Sequence, residues 1–168
     1  EPTAAALAYA AESGSELKGT YVIYDLGGGT FDCTIAKIDG QDIDIKTSMG
    51  VAQLGGKDFD KAIINIVAEK YKAETGNELD EKLFTTNHAE DVKKKLSRKD
   101  NASARNLDAL GTVIKVTKEE FETATSNLIA QAEIAVENAL ENTGDKPSDI
   151  TDVILVGGSS RMPMVKES

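Results

Sequence analysis

Residues 21–35, YVIYDLGGGTFDCTI, form two apolar runs separated by three consecutive glycines. β-Branched and aromatic residues on both sides of a glycine-rich turn predict a β-hairpin. If the turn is Gly27-Gly28 or Gly28-Gly29, the strand period of two places polar side chains on one face and apolar ones on the other. The polar face then contains Asp25, Thr30 and Asp32, and the apolar face contains Leu26, Phe31, Cys33 and Ile35.

This polar face has two possible explanations. It is either the solvated side of an ordinary hairpin or one side of a phosphate site. In a phosphate site, glycines let main-chain N–H groups approach the phosphate closely, and carboxylates supply oxygens for Mg²⁺, usually through water. The hairpin alone leaves both explanations open.

The composition is that of an acidic protein with enough apolar residues for a core. A length of 168 residues fits one domain, or one lobe with a smaller appended subdomain. Hydrophobic residues make up 40% of the chain, and the formal net charge is −10. Binding to any nucleic-acid backbone needs a basic face, so the charge argues against a nucleic-acid partner.

The single cysteine, Cys33, excludes an internal disulfide and a cysteine-rich zinc site. We expect a buried thiol rather than a nucleophile, because the one histidine, His88, is far away in sequence. No apolar run approaches the roughly 20 residues that a membrane span needs, and no signal peptide is visible, so we expect a cytoplasmic location and no membrane partner. The start at Glu1 without methionine suggests a fragment of a longer protein.

Several further elements can be predicted from periodicity. Residues 1–12 are alanine-rich and predict a short helix, and residues 43–49 alternate as an outer strand. LGGKDFD opens a helix, whose apolar stripe runs from Phe59 to about Thr75 and which stops at Gly76. The charged stretch AEDVKKKLS, residues 89–97, predicts a solvated outer helix.

The second half contains one more strand and a long helix. Residues 101–110 lack a clear period, whereas TVIKV, residues 112–116, predicts a strand. Thr117 and Glu120 match a capping box, which starts a helix that runs to about Asn142 and closes at Gly144. Its predicted apolar stripe contains Phe121, Ala124, Leu128, Ala132, Ile134, Ala135, Val136 and Leu140.

The last unit is the strand DVILV, residues 152–156, a glycine turn at residues 157–161, and a helix that begins near Met162. An apolar strand, a glycine turn and a helix N-terminus can together hold a phosphate. The same pattern also occurs where glycine serves only a sharp turn.

Four stretches in order resemble one family. They are EPTAAALAY at residues 1–9, DLGGGTFD at residues 25–32, LGGKDFD at residues 54–60 and VGGSSRMP at residues 156–163. Together they resemble the second lobe of the nucleotide-binding domain of DnaK-type chaperones, the seventy-kilodalton heat-shock family. Any one glycine motif would be weak evidence, but the ordered set covers essentially the whole chain and is specific.

The resemblance implies an α/β fold, namely an actin-like ATPase lobe with a ribonuclease H-like mixed sheet flanked by helices. Residues 1–53 and 118–168 would form the core subdomain, and residues 54–117 a smaller inserted α+β subdomain. In that family, two lobes close on ATP.

The resemblance also implies roles around the phosphates and Mg²⁺. The N–H groups of the three hairpin glycines and the hydroxyl of Thr30 would bind the β- and γ-phosphates. Asp25 would help hold the water shell of Mg²⁺ and orient the attacking water, assisted by Asp32 and Glu1. Positioning and charge neutralisation are what phosphoryl transfer demands.

Contacts with the rest of ATP or ADP are implied as well. Gly157 and Gly158 would hold the α-phosphate and ribose side, and Ser159 and Arg161 would lie against adenine. The AEDVKKKLS helix would cover the other side of adenine. The implied contacts are Glu90 with the ribose hydroxyls, Lys93 and Lys94 with the base and its edge, Ser97 with an adenine nitrogen, and Gly55 and Gly56 with the nucleotide.

The resemblance implies only one side of a nucleotide site that two lobes form, because the family's first phosphate loop and lobe-one lysine have no counterpart in these 168 residues. The family's peptide-binding domain has no counterpart here either. We expect the chain alone to bind nucleotide weakly and hydrolyse it poorly. The parent would couple ATP hydrolysis to capture and release of unfolded polypeptides, with a nucleotide-exchange factor and a J-domain co-chaperone as partners. Two alternatives are a bacterial actin or sugar-kinase relative, and a non-catalytic lobe on which co-chaperones dock.

Overall fold

A computed structural model describes residues 2–168 of the chain. These residues divide into two compact units. The first contains residues 2–55 and 130–160, and the second contains residues 56–129 and 161–168. The subdomain limits implied by the family resemblance stay a prediction. None of the helices within residues 2–168 combines the length and the apolar character of a membrane span.

The first unit is built on a four-stranded mixed sheet. Its strands are β1 (Lys18–Leu26), β2 (Phe31–Asp39), β3 (Asp42–Val51) and β6 (Ile150–Val156). They lie in the order β3-β2-β1-β6, with β1 antiparallel to β2, β2 antiparallel to β3, and β1 parallel to β6. The predicted hairpin and the predicted outer third strand are therefore confirmed.

Strand β1 is covered on both faces, as its apolar run predicts. Residues 21–24 are at most 6% exposed. On one face, helix α1 (Pro2–Ser13) packs against the sheet and confirms the predicted N-terminal helix. The buried cluster between them comprises Ala6, Leu17, Tyr21, Ile23, Ala36, Ile38 and Ile154.

The second unit contains helices and a two-stranded antiparallel sheet. Its elements are α2 (Gly56–Thr75), α3 (Thr86–Leu96), β4 (Asn101–Ala104), β5 (Ile114–Thr117) and the short α5 (Pro163–Glu167). The predicted stripe of α2 is buried, including Phe59, Ile63 and Val67. The helix ends before Gly76, whose φ of 76° lies in the left-handed range that glycine adopts readily.

Helix α4 (Lys118–Thr143) begins with the predicted capping box. The backbone N–H of Thr117 donates to Oε2 of Glu120 at 2.8 Å, and the N–H of Glu120 donates to Oγ1 of Thr117 at 3.1 Å. The predicted stripe is partly wrong, because Ala124 is exposed and Ile134 is 54% exposed. The buried positions are three, four or seven residues apart, which places them on one face of the helix, and they are Phe121, Thr125, Ala132, Ala135 and Ala139. Ile134 lies off that face.

The structure adds detail to three other segments. Strand β4 lies within residues 101–110, where four residues of Asn, Ala and Ser have too few apolar side chains to show a period. Strand β5 begins at Ile114 rather than at Thr112. The helix predicted near Met162 is α5, but a 3₁₀ turn, Gly158–Arg161, precedes it.

Candidate functional site

The tip of the β1–β2 hairpin brings the two predicted carboxylates together. Asp25 pairs directly with Asp32 across the ladder. The N–H of Gly27 donates to the carbonyl of Thr30 at 3.0 Å, which leaves the next two glycines as the turn. The predicted apolar face is buried to 1% exposure or less at Leu26, Phe31, Cys33 and Ile35. The two faces of the hairpin are thus confirmed, and the binding of phosphate stays a prediction.

The second glycine turn lies at the same end of the sheet, because β6 runs parallel to β1. Gly157 has a φ of 86°, and a Cβ there would lie closer than 3.0 Å to the carbonyl oxygen of Leu26. The hydroxyl of Ser159 donates to the carbonyl of Gly27 at 3.2 Å. The two turns are therefore packed together, while Arg161, in the second unit, is exposed.

A third glycine, Gly55, packs against the hairpin turn from the loop that precedes α2. A Cβ on Gly55 would lie closer than 3.0 Å to the backbone N of Gly29. Because Gly55 is buried and the obstructing atoms are backbone, only glycine fits here. This part of the LGGKDFD motif thus supports the shape of the hairpin turn.

Gly28, Gly29 and Gly158 differ from these glycines, because the fold does not require them. A Cβ on any of the three would meet no atom within 4 Å. None of them has a φ in the left-handed range, and all three are exposed. Glycine costs conformational entropy, and it is also used where a backbone must approach a ligand closely. All three positions leave open space beside the backbone.

The carboxylate pair fits a magnesium ion held through water. Asp25 is half-buried and Asp32 is exposed. Mg²⁺ keeps several of its waters and is usually held by one or two carboxylates together with phosphate oxygens. Among residues 2–168, no group of three or more His, Cys, Asp or Glu side chains could hold a metal ion. Glu1, which was predicted to assist, lies outside the described residues.

Helix α3 is not the solvated outer helix that its charge predicts. Lys93 is buried, with its side chain 10% exposed, and its Nζ lies 2.7 Å from Oδ1 of Asp60. The same ammonium donates to the carbonyl of Gly56 at 3.2 Å. The apolar residues of this face are at most 3% exposed, and they are Ala89, Val92 and Leu96.

The other predicted nucleoside-binding residues of α3 are more exposed. Oε1 of Glu90 lies 2.8 Å from Nζ of Lys94, and the two side chains are 44% and 66% exposed. The hydrogen bond between these two side chains lowers the pKa of Glu90 and raises the pKa of Lys94. The hydroxyl of Ser97 donates to the carbonyl of Lys93 at 3.3 Å. On α3, Lys93 is therefore buried, whereas Glu90 and Lys94 form an exposed ion pair.

The partner of Lys93 is Asp60, a residue of the LGGKDFD motif for which the sequence patterns predict no role. It lies three residues before Ile63 on the buried stripe of α2, and Lys93 lies four residues after Ala89 on the buried face of α3. A charged residue within the apolar stripe of each of two helices is the signal that predicts such a pair, because buried charges are paired.

Cys33 is a buried strand thiol, as predicted. It is 0% exposed, and burial raises its pKa to about 11. A reactive thiol needs a lowered pKa and access to solvent. His88 lies at the start of α3, where its Nδ1 accepts a hydrogen bond from the N–H of Thr85 at 3.0 Å. Neither residue belongs to the candidate site.

A family model described as Hsp70 protein matches residues 1–168 of the chain. The match covers the whole sequence and therefore all four of the motifs that carry the resemblance. A mixed sheet flanked by helices is the architecture of the actin-like ATPase fold. The alternative of a bacterial actin or sugar-kinase relative is set aside by this match. The chain belongs to the Hsp70 family of ATP-binding chaperones and has its actin-like fold.

Proposed function

We propose that this chain is the second lobe of the nucleotide-binding domain of an Hsp70-type chaperone ATPase. The two glycine turns of its first unit would bind the phosphates of ATP or ADP. The observation that carries the proposal is the set of three glycines, Gly28, Gly29 and Gly158, where the fold leaves room for a side chain and the sequence has none.

The turns suit phosphate because they offer backbone donors without side chains in front of them. Successive N–H groups in a turn form a concave site for an anion. The hydroxyl of Thr30, which is exposed at the end of the hairpin turn, would add a further donor. Such preorganised donors stabilise the charge that develops during phosphoryl transfer.

Asp25 and Asp32 would hold Mg²⁺ through its waters, and bound Mg²⁺ would neutralise phosphate charge. Asp25 is the better placed of the two to orient an attacking water, because it is half-buried beside the second glycine turn. A Cβ on Gly157 would come within 2.9 Å of its Oδ1. The carboxylate of Asp25 therefore lies beside the backbone of the second glycine turn. Asp32 lies equally close to the backbone of Gly50, but it is exposed.

In the full-length protein, we expect the opposite wall of the site to come from another lobe. Hydrolysis would then be coupled to the binding and release of unfolded polypeptides, with an exchange factor and a J-domain co-chaperone as partners. The chain alone would bind nucleotide weakly, because phosphates held on one side stay exposed to water.

Calorimetric titration of the 168-residue chain with ADP, with and without Mg²⁺, tests this proposal. We expect saturable binding that Mg²⁺ strengthens, and a loss of that strengthening in Asp25→Asn and Asp32→Asn. Asp44→Asn is a matched control, because Asp44 is an exposed carboxylate on β3, outside the proposed site. Binding that is absent from the wild-type chain, or strengthening by Mg²⁺ that survives both substitutions, would contradict the proposal.

A further inference from the structure

Helix α3 begins with a histidine at a position where a capping box has Glu or Gln. Thr85 is the N-cap residue, with extended backbone at φ −89° and ψ 172°. His88 lies three residues later, at N3. In a capping box, the N3 side chain accepts a hydrogen bond from the backbone N–H of the N-cap residue. The ring of His88 makes this contact in α3, because its Nδ1 accepts from the N–H of Thr85 at 3.0 Å.

This hydrogen bond requires the neutral form of the ring. A backbone N–H can only donate, so Nδ1 must offer a lone pair, and the single ring proton then lies on Nε2. A protonated imidazole carries a proton on both nitrogens and cannot accept at Nδ1. Histidine is the side chain whose charge ordinarily changes between pH 5 and 8. The acceptor that caps α3 is therefore one that a proton removes in this range.

Apolar residues hold the start of α3 in place independently of this hydrogen bond. Phe84 precedes the N-cap and is 3% exposed, and Ala89 at N4 is 0% exposed. These are the two positions of a hydrophobic staple, which fixes the direction in which the chain enters a helix. The ring of Phe84 also stacks on that of His88, with 5.9 Å between the centroids. Loss of the cap should therefore loosen the first turn rather than unfold the helix.

The charged groups around the ring do not form ion pairs with it. The charged residues nearest in sequence are exposed or half-buried, and they are Asp80, Glu81, Lys82, Glu90 and Asp91. Of the elements packed against α3, β4 has no charged residue, and Asp60 of α2 pairs with Lys93. None of the ion pairs within residues 2–168 includes His88. A positive charge on this ring would meet the partial positive charge of the helix N-terminus.

We propose that His88 makes the cap of α3 sensitive to pH, so that the cap hydrogen bond forms at neutral pH and is lost as the pH falls through the range in which histidine becomes charged. His88 lies outside the candidate site, so the effect does not depend on nucleotide binding. Stability rises with pH wherever the unfolded state binds more protons. Because the folded cap requires the neutral ring, its contribution to stability should be present at pH 7.5 and decrease by pH 5.5.

Helix α4 provides a matched capping box in the same chain. Its N-cap residue is also a threonine, Thr117, whose N–H donates to Oε2 of Glu120 at 2.8 Å. The hydrogen bond from Lys70 lowers the pKa of Glu120 below its ordinary 4.5. This carboxylate therefore keeps its charge between pH 5.5 and 7.5. The two boxes differ in their acceptor and should differ in their response to pH.

Nuclear magnetic resonance of the ¹⁵N-labelled 168-residue chain tests the acceptor directly. The ring nitrogens of His88 should show the Nε2–H tautomer at pH 7.5. As the pH is lowered to 5.5, the amide signal of Thr85 should shift together with the titration of the ring, whereas that of Thr117 should not follow it. An Nδ1–H tautomer at pH 7.5, or a Thr85 amide that stays unmoved while the ring titrates, would overturn the proposal.

Chemical denaturation measures the effect on stability. His88→Gln is the matched variant, because glutamine keeps an acceptor at N3 and does not titrate. Between pH 7.5 and 5.5, the unfolding equilibrium constant of the wild-type chain should rise relative to that of His88→Gln by roughly three- to tenfold, as expected for the loss of an N-terminal cap. The same pH dependence in both chains would show that the cap does not respond to protonation and would overturn the proposal.

Discussion

Replacement of Gly28 or Gly29 by alanine should weaken nucleotide binding without harming the fold. A Cβ at either position meets no atom within 4 Å, and neither glycine has a left-handed φ. An alanine in a compatible conformation lowers the entropy of the unfolded chain. We therefore expect the free energy of unfolding of Gly28→Ala and Gly29→Ala to stay level or rise, by about 0.4–1 kcal/mol.

The loss of affinity follows from the space that a phosphate would need. A phosphate oxygen that accepts from a backbone N–H lies about 2.9 Å from the nitrogen. A Cβ next to that nitrogen crowds an oxygen bound so closely. Loss of one hydrogen bond to a charged group costs about 1.5–3 kcal/mol, which corresponds to a reduction in affinity for ADP of roughly tenfold to a hundredfold.

The assay combines calorimetry with Mg²⁺–ADP and chemical denaturation of the same samples. Gly40→Ala is the matched control, because Gly40 also has open space around its Cβ position but has a φ of 64° in the β2–β3 turn. This variant should lose about 1 kcal/mol of stability and keep the affinity for ADP. Unchanged affinity in both hairpin variants would refute the assignment of this turn to phosphate.

Three further predictions concern other parts of the chain. Thr117→Ala removes half of the capping box with Glu120 and should lower the stability by about 1 kcal/mol in denaturation experiments; an unchanged midpoint would contradict it. Because burial raises the pKa of Cys33 to about 11, iodoacetamide at pH 8 should modify it far more slowly in the folded chain than in urea, and equal rates would show that it is accessible. The hydroxyl of Thr112 lowers the pKa of Asp108 below its ordinary 3.8, so this contribution to stability should be present above that value and disappear as the pH falls through the lowered pKa. Asp108→Asn should remove that part of the acid dependence of unfolding, and a variant with the wild-type pH profile would disprove it.

The hairpin side of the candidate site is predictable because its signals are local. The strand period around the glycines assigns Asp25 and Asp32 to one face without knowledge of any distant residue. The parallel pairing of β6 with β1 then brings the second glycine turn to the same edge. Ser159, however, donates to the carbonyl of Gly27 across 132 positions of sequence, and no local pattern predicts that bond.

The second unit is harder to predict, because the residues that form its buried ion pair are distant in sequence. Lys93 and Asp60 lie 33 positions apart in sequence, on two different helices. The charge of α3 alone therefore predicts a solvated helix, because the carboxylate that pairs with Lys93 lies on α2. The burial of Ile134 is predicted wrongly for a different reason, because apolar and small residues lie on more than one face of α4. A stripe assigned from hydrophobicity alone therefore included a side chain that is 54% exposed.

Chemical-shift mapping tests the central claim most directly. Backbone amide signals of the ¹⁵N-labelled 168-residue chain would be followed during titration with Mg²⁺–ADP. The proposed function predicts saturable shifts at Gly28, Gly29 and Gly158, and no shift at Gly40. If the chain binds ADP while the amides of both glycine turns stay unmoved, the assignment of these turns to the phosphates is wrong.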